Sequence, residues 1–227
     1  DWNSFANIHL AMAGDAAART RALTETERYT SDNAWQVPDH FTWGTLHRWI
    51  GMANAHRRTQ RDLQSPAQES ALFQGVLDYT FGRNPWGIPM MASGDLPNSI
   101  RNVYNGIYRL TEAFPTGALS EGPGDKATHV EMREYFAVPA NSPTEPFNTA
   151  AAVFYDNADD FMIQDSTIGG QGDLLLMLAL ASSPTITARP DSGTVPASLY
   201  KTPDSEQAFA ATRLAWYSYD DRAEGGN

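Results

Sequence analysis

The chain has 227 residues, 41% of them hydrophobic, and a formal net charge of -11. It contains no cysteine, which excludes disulfides and thiolate metal sites. No membrane span is expected either, since the longest unbroken apolar stretch is only Leu174 to Ala181. The charge excess lies wholly in the second half: residues 1–110 carry ten Lys/Arg and ten Asp/Glu, residues 111–227 six and seventeen. Such a surface repels phosphate backbones, so nucleic acid is not expected as the main ligand, whereas a neutral substrate or a divalent cation suits it. The chain opens Asp-Trp-Asn with neither Met nor a basic-then-apolar leader, so the expectation is a removed signal peptide or further sequence upstream.

Residues 3–28 read as one helix, with apolar Phe5, Ile8, Leu10 and Met12. Pro38 and the aromatic stretch from Trp35 to Trp43 interrupt, and a second helix fits 43–62 with Leu46, Trp49, Ile50 and Ala53 on one face. A third is predicted after Ser65-Pro66, with Ser65 as cap, Pro66 in the first helical position and Glu69 in the first turn; Gly82 stops it. From 83 to about 148 the chain is rich in Pro and Gly and reads as a long loop system, which in a compact domain is usually functional. Helix is expected again at 148–156 and at 170–182. Leu174 to Leu180 is apolar on every side, and so predicts a buried helix. Residues 184–203 form a Pro/Thr/Ser-rich tail, with a last helix at 204–218 around Phe209, Leu214 and Trp216. Strand signals are weak. The expected architecture is all-α, helical hairpins joined by elaborate loops at one end, with a principal domain over 1–183 and a tail over 184–227.

The segment Leu77-Asp-Tyr-Thr-Phe-Gly-Arg-Asn-Pro-Trp-Gly87 ends a helix and turns into a loop, and it is similar to the helix-end signature of glycoside hydrolase family 9. Three further segments resemble that family in the same order: Phe41-Thr-Trp-Gly-Thr-Leu46, Thr116-Gly-Ala-Leu-Ser-Glu-Gly-Pro123, and the acidic run Tyr155 to Asp165 before an apolar helix. The resemblance implies part of an (α/α)6 helical barrel, with a glycan cleft across the loop end. The implied reaction is inverting, cellulase-like hydrolysis of a β-linked glucan or related polysaccharide by a secreted or periplasmic protein.

Inverting hydrolysis needs one carboxyl group to protonate the leaving oxygen and a second to activate water. The resemblance puts Asp165 in the position of the general acid, where the family has Glu preceded by Asn and this chain reads Gln164-Asp165. Asp is one methylene shorter, and a misplacement of about an ångström can cost roughly 100-fold in rate. The family's base comes from an Asp pair far upstream; Ala13-Gly-Asp15 is read as a coincidental likeness, so the base is assigned to sequence outside this chain. The family's His-rich run ending in Arg corresponds to Leu96-Pro-Asn-Ser-Ile-Arg101, which keeps only Arg101.

Candidate substrate-binding residues are therefore Arg101, Asp156 and the aromatic Trp43, Trp86 and Tyr104, with Trp35 and Tyr108 as further stacking candidates. Asp156, Asp159 and Asp160 are candidate sugar contacts or ligands of a structural calcium; no cofactor is expected otherwise. The five histidines, His9, His40, His47, His56 and His129, lack metal-ligand spacing and read as structural or surface residues. No phosphate loop, nucleophile elbow or nucleotide fingerprint is present. The alternative to an enzyme is a glycan-binding or scaffold relative that kept the fold and lost the chemistry; a helical-toroid lyase is disfavoured because an acidic surface repels uronates. The expected partners are a poly- or oligosaccharide and the upstream half of the barrel, as a separate chain or fragment, across a large apolar interface.

Overall fold

A computed structural model describes residues 2–38, 40–65 and 67–182; the tail over 184–227, with its expected helix at 204–218, lies outside the described residues. Helix predominates, as the sequence predicts. The stretch 3–28 is two helices rather than one: α1, Trp2–Met12, and α2, Ala16–Glu27, fold back on each other as a hairpin. The break falls at Ala13-Gly-Asp15, where the Asp15 side chain accepts the Ala18 N–H at 2.9 Å and caps α2. That capping role accounts for Asp15 without any chemistry. Ile8 and Ala22 meet Ala55 and Leu63 in a small core of their own.

Helix α3, Thr45–Arg58, runs into a π-helical turn at Thr59–Leu63. Helix α4 is Ala71–Thr80, which corrects its predicted start: the cap is Ser70, whose hydroxyl accepts the Phe73 N–H at 2.9 Å and bonds His56 Nδ1 at 2.8 Å. The buried imidazole selects Ser70 over Ser65 by anchoring its hydroxyl. The main core lies between α3 and α4 and between α3 and α8, Ile168–Ser182. Trp49 of α3 meets Tyr79 of α4 edge-on at 5.2 Å, and Leu174, Met177 and Leu180 supply the buried face of α8. The expectation that α8 is buried all round is corrected. Leu175 is 69% and Ile168 81% exposed, because within this unit α8 packs chiefly on α3.

The loop system of 83–148 holds two short helices, α5 (Gly106–Thr111) and α6 (Lys126–Met132), and a 3-10 turn at Glu145–Phe147. The helix expected at 148–156 is absent. Residues 152–153 instead form β2, paired antiparallel with β1, Gly124–Asp125, in a two-stranded ladder. Here Thr149 and Asn148 side chains take the backbone N–H groups of Ala151, Ala152 and Phe154, competing with a helical turn. The acidic run closes in the single-turn helix α7, Phe161–Gln164, capped by Asp160. No helix among the described residues is long and apolar enough to cross a membrane.

The α3–α4 pair is braced by the loop at Trp35. A Cβ added to Gly75 of α4 would lie 1.9 Å from the Trp35 carbonyl oxygen. Alanine gains about 1 kcal/mol over glycine in helix propensity, but overpacking against backbone costs about 1–3 kcal/mol and more where the clash is this close. Gly75→Ala is therefore expected to be destabilising by about 1–3 kcal/mol in chemical denaturation, opposite in sign to the propensity effect.

Candidate active site

The loop Leu119–Gly122 is held between three helices by bonds that reach it from each. The Leu46 N–H in the first turn of α3 donates to the Glu121 carbonyl at 2.9 Å, and the Gly122 N–H donates to Ile163 O of α7 at 3.2 Å. From α8, Gln171 accepts the Leu119 N–H and donates to the Leu119 carbonyl, both at 3.2 Å, and also reaches Ser166 Oγ at 3.0 Å. Two glycines make the approach feasible. Gly44 (φ +70) precedes α3 and a Cβ there would lie 2.9 Å from Glu121 Oε2, while a Cβ on Gly122 (φ +81) would lie 2.6 Å from Leu46 Cβ.

The Glu121 carboxyl thus lies at the amino-terminal end of α3, 7% exposed, with His47 Nδ1 at 3.6 Å from Oε1. The same Nδ1 is 3.1 Å from Thr167 Oγ1, two residues beyond Asp165. Burial, and secondarily the like charge of Asp165, raises the Glu121 pKa from 4.5 to about 7. Burial lowers His47 to about 4, opposed in part by a Ser120 backbone group. Across the interval between those values both groups are neutral, so the contact is one of a carboxylic acid with a neutral imidazole rather than an ion pair. His47 Nε2 is buried without a hydrogen-bond partner, against the Cα of Gly170.

Asp165 follows α7 as its C-cap residue, half-buried, and burial raises its pKa, offset in part by the Ser166 N–H donated to Oδ1 at 2.7 Å. Its backbone bridges Tyr104 in parallel, and the Tyr104 N–H donates to Gln164 O at 2.9 Å. Phe161 of α7 contacts both Trp43 (centroids 5.3 Å apart) and Tyr104 (6.0 Å), and Arg109 lies over the Tyr104 ring at 4.8 Å. Trp43 is 43% exposed and borders an open groove of about 510 Å³ lined also by His40, Phe41, Thr42, Asp125, Thr128 and Ala151. Asp165, Tyr104 and Trp43 are therefore brought together around α7.

The remaining candidates are placed elsewhere or occupied. Trp86 is corrected as a stacking platform: it is buried against Phe154 and donates Nε1–H to Asn148 Oδ1 at 2.9 Å. Trp35 meets Tyr79 edge-on and donates its Nε1–H to the Arg83 carbonyl, and Tyr108 meets Phe114 at 6.3 Å. The Arg101 guanidinium donates to the carbonyls of Ser93 (2.5 Å) and Leu96 (3.0 Å), so it pins its own loop. The Asp156 carboxylate accepts the N–H groups of Arg101 and Asn102 at 2.9–3.2 Å. Asp159 pairs with Arg109, and Asp160 with His129 at 2.8 Å. These three aspartates face three separate partners rather than one ion. Among the described residues no group of three His, Cys, Asp or Glu side chains is placed to hold a metal.

Glu121 and His47 are the site residues that sequence reasoning missed. His47 was read as structural for want of metal-ligand spacing, and Glu121 was absorbed into a loop motif. The available signal was a lone carboxylate in the otherwise uncharged run Thr116 to Pro123, where burial follows from the flanking Ala-Leu and Gly-Pro pairs.

Helix predominates among the described residues, in packed helices joined by long loops, and the all-α expectation is met. The chain is similar in structure to a metagenome-derived glycoside hydrolase family 9 endoglucanase. The TM-score is 0.54 at 19% sequence identity, covering 74% of this chain. The matched part is 30% of that chain, so the protein described here spans under a third of its length. At this identity the likeness is one of fold. No family model matches the sequence, and no curated protein matches it.

A carboxyl whose folded pKa is raised contributes stability below its unfolded pKa and loses it as pH rises through the folded value. Glu121 therefore destabilises the fold progressively between 4.5 and about 7. Glu121→Gln is expected to gain stability relative to the native chain across that interval, by up to about 3 kcal/mol. Thermal unfolding followed from pH 4 to 8 checks it; parallel curves for the two proteins would refute it.

Proposed function

We propose that this chain contributes the acid side of a glycan-hydrolysing site. Asp165 acts as general acid in inverting cleavage of a β-linked glucan or related polysaccharide. The observation that carries the reading is the position of Asp165: a half-buried carboxyl with a raised pKa, beside the aromatic frame of Trp43, Phe161 and Tyr104. A carboxyl whose pKa is raised holds its proton to higher pH than a free aspartate does, and aromatic rings at a partly open surface suit the faces of pyranose rings. The structural likeness to an endoglucanase favours the same class.

In this mechanism Asp165 gives its proton to the departing glycosidic oxygen. A second carboxylate, about 6.5–9.5 Å away across the sugar, activates the water that attacks from the opposite face. That base is assigned to sequence outside this chain, in the upstream part of the barrel, and the exposed Ile168 and Leu175 of α8 belong to the apolar interface expected with it. Arg101 and Asp156 hold the loops that frame the cleft. A polymeric glycan substrate suits a secreted or periplasmic location.

Asp165→Asn keeps the size and the Ser166 contact while removing the proton. Assayed in the assembled protein on soluble β-glucans, it is expected to lower turnover at least 100-fold, a loss typical of removing a general acid, without lowering the melting temperature. Undiminished turnover would overturn the assignment. Tight glycan binding with no turnover by the native protein would favour the glycan-binding alternative.

A further inference from the structure

We infer that His129 is a positioning residue for Asp165: its imidazole ties down both ends of α7, the amino end by its edge and the carboxyl end by its face. This rests on the reading of Asp165 as the acid and deepens it, by naming what fixes that acid from within this chain. The hydrogen bond to the Asp165 carboxyl comes from the next residue, Ser166, at 2.7 Å and turns with it. The place of the carboxyl therefore follows from that of α7, Phe161–Gln164, which ends immediately before it. A single turn does not sustain itself, so what orients it lies outside it.

The edge of the imidazole holds the amino end. Asp160 caps α7: its Oδ1 accepts the Ile163 N–H at 3.2 Å, its Oδ2 lies 2.8 Å from His129 Nε2, and its carbonyl accepts the Gln164 N–H at 2.8 Å. A carboxylate only accepts, so the hydrogen in the contact with His129 is on Nε2. Both side chains are fully buried, and solvent does not compete for the bond. His129 belongs to α6, Lys126–Met132, so the bond fastens α7 to a separate element.

The face of the imidazole holds the carboxyl end. It stacks on Tyr155, with centroids 5.2 Å apart and planes at 21°. The Tyr155 hydroxyl donates to Glu145 Oε2 at 2.5 Å, and the Tyr155 carbonyl accepts the Gln164 side-chain amide at 2.7 Å. Phe136 adds a third tie, 5.3 Å from the imidazole and 5.4 Å from Phe161 in the first position of α7. One ring thus reaches Asp160 directly, and Phe161 and Gln164 through one intervening residue each. His129 Nδ1 is buried with no hydrogen-bond partner among the described residues, so no relay leads from the imidazole to the cleft. Its role is geometric, not that of a reacting dyad.

The test takes two substitutions in the full chain that each keep half of this clasp. His129→Gln offers an amide N–H where Nε2–H stands and loses the ring; His129→Phe keeps a ring on Tyr155 and loses the donor. Amide hydrogen exchange needs no turnover. It is expected to quicken at Ile163 and Gln164 in both variants, more in His129→Phe, while the amides of α3 and α4 change less. Exchange that is unchanged at α7, or quickened alike everywhere, would overturn the inference. In the assembled protein on soluble β-glucans, kcat is expected to fall about tenfold in His129→Gln and roughly 100-fold in His129→Phe, with KM within about twofold of native, the signature of a misplaced reacting group. Native kcat in His129→Gln would also overturn it, whether or not His129→Phe folds. Asp165→Asn keeps the two readings apart. If that variant turns over normally the acid assignment falls, and exchange at α7 still decides whether His129 holds the helix.

Discussion

The first turn of α3, the loop at Glu121 and the end of α7 approach one another at backbone distance, and the candidate site is a product of that contact. Hydrogen bonds to Glu121 O and from Gly122 N leave no layer of side chains between the three segments. Gly44 and Gly122 lack the Cβ atoms that would forbid it. A side chain placed at the centre of such a junction is buried whatever its type, and residue 121 is a glutamate. Its carboxyl is therefore desolvated by the backbone arrangement rather than by an apolar pocket, and its raised pKa follows from that burial.

Helix α7 is too short to be stable on its own: one turn costs nucleation without the propagation that repays it. Its stability comes from its cap. Asp160 takes the Ile163 N–H at 3.2 Å and pairs with His129 of α6, both side chains fully buried, and His129 stacks on Tyr155 at 5.2 Å. A buried pair of this kind is weak evidence for net stability, because desolvation offsets its attraction. What it fixes is register: with Asp160 anchored at one end and Gln164 bonded to Tyr104 N and Tyr155 O at the other, Asp165 has little freedom to turn away.

Helix type and most helix positions were legible in the sequence because α3, α4 and α8 carry long apolar periods. Boundaries set by side chains far away were not. Ser70 caps α4 because His56 holds its hydroxyl, and the α1–α2 break rests on a short-range Asp15 cap inside a run of good helix formers. Residues 148–156 read as helix from composition, while Thr149 and Asn148 direct the backbone into β2. Of the site, the segments 41–46, 116–123 and 155–165 were legible as units, and the structure brings all three together. Which side chains inside them matter was less so. Glu121 reads as a turn residue yet lies at the junction, and Trp86, in the separate segment 77–87, reads as a loop aromatic yet closes the core, because burial at both positions is decided by tertiary contacts.

In the proposed role of general acid, Asp165 faces two separate demands, reach and proton retention. Reach depends on the backbone, and the bond from Gly122 to Ile163 with the parallel bridge to Tyr104 fixes where the shorter side chain starts. Retention depends on what surrounds the carboxyl. Burial alone raises it, while the Ser166 N–H pulls it back down.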